Sequence, residues 1–371
     1  MTRIPICEEA LVIRNVLMVV SLGMSVCIGL VLRGGGKAGS TGGTGTDSEG
    51  VLIGLSMDSL KEARWQVDRD VIVDRCRELG ASVLVQAANS NDLQQIRDVE
   101  SLLTSRVRVL ILIPHDALAM AKAVEMAHNV GVPVISYDRL VRNCDVDLFV
   151  GFDNVHVGEL QARFLVDHLP TPSNGRIVRV YGAKTDNNSQ QFKEGQDRIL
   201  EPYIRRGQIQ VVHEDWAEDW KPENAKRIID AAITNQGQQF EAVLASNDGT
   251  AGGAIQALTE AGLAGKVLVT GQDAELAACQ RIVAGTQTMS VYKPLRTLAT
   301  EAADAAIRIA HGKPIVARTA INNGKLDVPS LLTDVVALTP DNMVRTVVRD
   351  GFHSYDDVYR GVPEDRRPPR P

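Results

Sequence analysis

The feature that most constrains this chain is an alternation. Ten short apolar runs recur from Val51 to Tyr292, at 51–57, 82–88, 107–114, 132–137, 147–152, 175–183, 209–215, 240–246, 265–271 and 288–292. Longer amphipathic spans separate most of them, at 60–79, 90–104, 117–129, 154–168, 187–206, 222–236, 250–262, 274–284 and 295–311. Strands apolar along nearly their whole length, divided by helices, predict parallel sheets covered on both faces. The class is therefore α/β and doubly wound. Ten strands exceed one comfortable sheet, which predicts two sheets in two lobes.

The domain reading follows the chain. Residues 1–33 form a signal or membrane-anchor segment, because 16–32 (VLMVVSLGMSVCIGLVL) are uncharged, mainly apolar and flanked by Arg14 and Arg33. A cleaved export signal, a retained anchor and lipid attachment at Cys27 all fit, and each puts the remainder outside the cytoplasm, in the periplasm or on the outer face of the membrane. Residues 34–50, rich in Gly, Ser and Thr, form a flexible linker. One lobe comprises 51–153 with 294–324, and the other 154–293 with 325–352. The tail 353–371, ending RRPPRP, is expected to be disordered.

Composition excludes some classes. The net charge of −6 offers no basic nucleic-acid footprint. The five cysteines have no CxxC or zinc-type spacing; Cys76 and Cys279 fall in helical spans and read as core, as does Met289. There is no phosphate-binding GxxxxGK[ST], no GxSxG and no HExxH, and no cofactor or metal is implied.

In open α/β sheets, ligands sit beyond the carboxyl ends of the strands. Nearly every run here ends in Asp, Asn, Arg or Lys. Single Asp or Asn residues there are ordinarily turn formers or helix N-caps, and Asn89, Asp153 and Asp248 are read so. The ensemble of Arg64, Asp138, Arg139, Asn247, Asp273 and Lys293 is different, since capping does not call for Arg or Lys. Such a set suits a neutral polyhydroxylated ligand: carboxylates accept, Arg and Lys donate, and Asn does both. Trp65 and Trp220 lie in the same set and could cover the apolar C–H faces of a sugar ring. Carboxylates paired with cations have lowered pKa values and make poor general acids, so the chain does not read as an enzyme.

Several stretches carry a resemblance: ARWQVDRD (63–70), YDRL (137–140), FDNVHVGELQA (152–162), DNNSQQFKEGQ (186–196), SNDGTAGGAIQAL (246–258), TGQDAELA (270–277), AGTQTMSVYKP (284–294) and NNGKLDVPS (322–330). From about Val51 to Phe352 the chain resembles the periplasmic D-xylose-binding proteins of bacterial ABC sugar importers. The resemblance implies a two-lobed class I binding fold with hinge crossings, closing on a pentose. It implies ligand contacts at Arg64, Asp138, Arg139, Asp186, Asn247, Asp273 and Lys293, stacking at Trp65 and Trp220, and a further contact at Asn187. It also implies a monomer, delivering its sugar to membrane permease subunits. A transcription regulator of the same fold would need a basic helix-turn-helix before residue 51, where an apolar segment and a glycine linker stand instead. A sugar sensor acting through a membrane chemoreceptor is the alternative.

Overall fold

A computed structural model of the protein describes residues 50–169 and 175–371. The expected signal or anchor, and all but Gly50 of the linker, lie outside the described residues. Among the described residues, no helix is long and apolar enough to cross a membrane.

The first half alternates β1 (Leu52–Met57), α1 (Ala63–Glu78), β2 (Ser82–Ala87), α2 (Asp92–Thr104), β3 (Val109–Leu112), α3 (Ala121–Asn129), β4 (Val134–Tyr137) and β5 (Leu148–Phe152). The chain then builds α4 (Asn154–His168), β6 (Gly175–Tyr181), α5 (Asn187–Arg205), β7 (Ile209–Trp216), α6 (Pro222–Gln236), β8 (Ala242–Ala245), α7 (Asp248–Glu260), β9 (Leu268–Val269), α8 (Leu276–Ala284) and β10 (Ser290–Tyr292). It returns through α9 (Leu295–Ala310), β11 (Thr319–Asn322) and β12 (Asp327–Thr333), and ends with β13 (Val336–Leu338) and α10 (Tyr355–Val358).

Three sheets result. Lobe one holds a seven-stranded sheet in the order β11-β12-β5-β4-β3-β1-β2, parallel except for the β11–β12 hairpin. Lobe two holds a four-stranded parallel sheet, β7-β6-β8-β9. β10 and β13 pair antiparallel. The predicted doubly wound α/β architecture is present.

The continuous apolar strands follow from helices on both faces. In β8, Ala242 and Leu244 pack with Ala162 and Leu165 of α4 and Leu200 of α5. The alternate residues, Val243 and Ala245, pack with Ile228 and Ile229 of α6 and Ala254 and Leu258 of α7. In lobe one, α1 shares its face with the alanine-rich α9, whose Leu298, Ala299, Ala302 and Ala303 are fully buried beside Ile53, Leu55 and Ile72. Small side chains there let α9 lie close to the sheet and to α1. Cys76, Cys279 and Met289 are buried, as core residues should be.

Two expectations about the domains need correction. Residues 325–333 belong to lobe one, because β12 runs parallel beside β5, pairing Ser330 with Phe149 through Thr333 with Phe152. The NNGK stretch is the hairpin turn between β11 and β12, with Gly324 at φ +97°, rather than a passage between lobes. The chain passes between the lobe sheets after β5, between β10 and α9, and after β12. The tail is also not uniformly loose. Tyr355, Val358, Tyr359 and Val362 are buried against Cys279 and Ile282 of α8 and against Met343 and Val347. Their apolar spacing supplies a face that the proline- and arginine-rich end obscured.

Candidate functional site

The polar residues that follow the strands converge. Arg64 and Trp65 stand in the first turn of α1. Asp138 and Arg139 follow β4. Asp186 caps α5, accepting from the Asn188 amide at 2.8 Å. Asn247 caps α7, its Oδ1 accepting from the Thr250 amide at 2.8 Å in a reciprocal capping box. Asp273 follows β9, and Lys293 follows β10. Capping and site-building thus coincide at Asp186 and Asn247: the turn that starts each helix also aims its side chain outward from a strand end.

These nine side chains, counting Trp220, line one pocket between the lobes. All are nearly buried, Lys293 to 1% exposure. Four residues here hold left-handed backbone: Asp138 (φ 60°), Asp219 (φ 53°), Trp220 (φ 59°) and Asp273 (φ 90°). Such conformations cost about 1–3 kcal/mol each in non-glycine residues and persist where the surroundings enforce them. Gly182 gives Trp220 its place, because a Cβ there would stand 2.0 Å from the indole Cη2.

The charges interleave across the lobes. Arg64 reaches Asp138 at 2.6 Å within lobe one and Asp273 at 3.0 Å in lobe two. Arg139 reaches Asp58 at 2.8 Å and, across the cleft, Asp186 at 2.9 Å. Lys293 lies 3.3 Å from Asp273 and 3.7 Å from Asp138. Trp220 Nε1 donates to Asp186 at 3.1 Å. Burial alone would raise the Asp138 carboxyl, but Arg64 and Lys293 outweigh it and hold it down at about 2. Asp58 is likewise lowered to about 2: burial opposes, and His115 and Arg139 prevail. At Asp186 burial wins over Arg139, and its pKa is raised. Beneath the cavity Tyr137 donates to Asp68 at 2.7 Å. The buried atoms Arg64 Nε, Trp65 Nε1 and Gln272 Oε1 have no hydrogen-bond partner among the described residues. Unmet polar capacity beside interleaved charges suits a hydrogen-bonding ligand.

Two sequence readings are revised. Asn187 does not line the cavity; its Oδ1 accepts from Arg142 Nη1. Its neighbour Asn188 does, donating across the cleft to the Asp138 carbonyl at 3.1 Å and carboxylate at 3.2 Å. Trp65 is less an open platform than expected, since the Arg64 guanidinium lies 4.2 Å from its ring centre. Glu62, Phe192 and Gln272 also line the cavity without having been selected. Phe192 stands one helical turn after Asn188, and that spacing was a usable signal.

The model of the periplasmic binding protein domain matches residues 53–314. The chain is 44% identical over 308 residues to the D-xylose-binding periplasmic protein of Escherichia coli (strain K12), covering 83% of this chain and 92% of that protein. It is 43% identical over 312 residues to the D-xylose-binding periplasmic protein of Haemophilus influenzae, covering 84% and 93%. Among solved structures, it is similar to a carbohydrate transporter solute binding protein from Chloroflexus aurantiacus in complex with D-glucose. That match has a TM-score of 0.78 and 33% identity, over 82% of this chain and 97% of the other.

Proposed function

Because the chain belongs to the periplasmic binding protein family, we propose that it captures D-xylose between its lobes outside the cytoplasm and delivers the sugar to an ABC importer. The observation that carries this reading is the interleaving of Arg64, Arg139 and Lys293 with Asp138, Asp186 and Asp273 around one pocket between the lobes.

In this reading each sugar hydroxyl donates to a carboxylate and accepts from a guanidinium or ammonium, and charged partners strengthen both bonds. Asn247 and Asn188 supply neutral donors and acceptors, and Trp220 covers an apolar face of the ring. Arg64, Asp138 and Arg139 belong to lobe one; Asp186, Trp220, Asn247 and Asp273 belong to lobe two. The sugar meets the full set only when the lobes are together, so binding shifts the population toward the closed form. Arg64 and Lys293 keep the Asp138 carboxylate charged and accepting, which serves capture and not acid–base chemistry. The protein works as a monomeric binding protein without catalysis, tethered to the membrane by its N-terminal segment or a lipid.

Calorimetric titration of the purified protein tests this. The expected result is tight one-to-one binding of D-xylose, with weaker responses to D-ribose, L-arabinose, D-glucose and D-galactose. Tighter binding of another of these sugars would move the specificity, and binding of none of them would refute the reading.

A further inference from the structure

Glu62 apart, the inner cavity pairs three cations with three carboxylates. Balance of this kind gives no reason to reject a sugar that carries its own negative charge. The cavity opens outward into a wider cleft of about 640 Å³, which shares Glu62, Arg139, Asp186, Trp220 and Asn247 with it. Six carboxylates line that cleft, against Lys61, Arg139 and Lys221. Asp58 and Asp186 are matched by Arg139, and Asp219 by Lys221. Glu62, Glu223 and Glu275 have no ion-pair partner among the described residues, and neither has Lys61. Glu62 comes from lobe one, at the start of α1, and Glu275 from lobe two, at the start of α8. Both are half-buried.

Resting on the sugar-binding reading above, we infer that Glu62 and Glu275 are specificity-determining residues: they exclude anionic sugars, such as uronates and sugar phosphates, from a site whose inner charges cancel. A ligand carboxylate or phosphate held near the mouth would face these carboxylates, with Lys61 the one unpaired cation among the described residues of the cleft. Like charges brought together in a partly desolvated cleft repel far more strongly than in water. A neutral aldose meets no such cost, and an aminosugar is favoured. The surroundings of the two groups make their charge, and so the repulsion, grow as pH rises. Burial raises the pKa of Glu275 to about 7, helped by Asp273 and Glu62 and opposed by Arg281 and Arg64. Burial also raises that of Glu62, against Arg139 and Arg64 and with Asp273 and Asp58. Asp248 Oδ2 adds a further carboxylate at the Glu275 amide.

Three hexoses of one shape isolate the charge: neutral D-glucose, anionic D-glucuronate and cationic D-glucosamine, each measured by displacement of D-xylose. The wild-type protein is expected to bind glucuronate at least tenfold more weakly than glucose. In E62Q/E275Q that ratio should narrow by about tenfold, with E275Q alone giving part of the change, and raising the pH from 6 to 8 should widen the ratio in the wild type only. Equal binding of glucuronate and glucose by the wild type, or an unchanged ratio in the double variant, overturns the inference. Failure of D-xylose itself to bind the wild type would instead strike the proposed function, so the two are separately exposed to refutation.

Discussion

Replacing Asp273 by alanine should weaken D-xylose binding by roughly 30- to 4,000-fold. Asp273 is the lobe-two carboxylate against which two lobe-one and hinge cations rest: Arg64 at 3.0 Å and Lys293 at 3.3 Å. At those separations and an effective dielectric near 20, each attraction is about 5 kcal/mol gross. Most of that is offset by the cost of holding the groups out of water. The net loss on truncation is set by what stays behind. The Arg64 side chain is 5% exposed and that of Lys293 1%, and after the change Lys293 depends on Asp138 alone and Arg64 on Asp138 and Asp68. Removing one partner of a buried, hydrogen-bonded charge pair costs about 2–5 kcal/mol, and at 1.4 kcal/mol per tenfold this gives the range above. Asp273 also holds a left-handed backbone, so Asp273→Asn is the companion variant: it keeps the shape and removes only the charge. Calorimetry supplies the affinities, and thermal melting verifies folding. If both variants melt as cooperatively as the wild type and bind D-xylose within threefold of it, Asp273 is not part of the sugar site.

Three further outcomes are expected. Asn188→Ala should weaken xylose binding by about 5- to 150-fold, the equivalent of about 1–3 kcal/mol for stranded polar partners, and Asn187→Ala should have a smaller effect; equal losses in parallel titrations would contradict the geometry. Gly182→Ala should force the Trp220 ring off Asp186, seen as a shift in tryptophan fluorescence and at least a tenfold loss of affinity; an unchanged spectrum and affinity would count against the contact. Glu275 has its pKa raised from 4.5 to about 7 in the folded protein, mainly by burial, so the folded state holds its proton more tightly than the unfolded chain. Its contribution to stability is complete below about pH 4.5 and is lost as pH rises through about 7. Melting temperatures recorded from pH 5 to 8.5 should therefore fall less in Glu275→Gln than in the wild type, by at least about 2 °C; parallel curves would show that burial does not perturb this group.

The strand-end residues were legible because the rule that finds them is local. A parallel strand covered on both faces announces itself as an apolar run, and its carboxyl end is where the chain first turns polar. That logic alone pointed to Arg64, Asp138, Arg139, Asn247, Asp273 and Lys293, and the family resemblance added Asp186; all of them line one cavity. It could not separate Asn187 from Asn188, adjacent residues at the start of one helix, because about 100° of helical rotation decides which faces the opposite lobe. Nor could it find Glu62, which stands in the loop before α1 and owes its place to a neighbour in the other lobe.

What this sequence determined by itself is thus the class of fold, the two-lobe division and the polar residues offered at each strand end, since each is encoded in hydrophobic period and turn chemistry within a few residues. Tertiary structure alone decided which charges meet. Arg64 and Asp273 are 209 positions apart and touch only because two lobes face each other. The same holds for β12, whose residues look the same in either lobe and whose place is set by pairing with β5. It holds too for the buried tyrosines of the tail, which pack only because α8 and Met343 present an apolar surface to them. Local pattern fixes what a segment can offer, and long-range packing selects the partner, because burial and ion pairing fall off within a few ångströms in space whatever the distance along the chain.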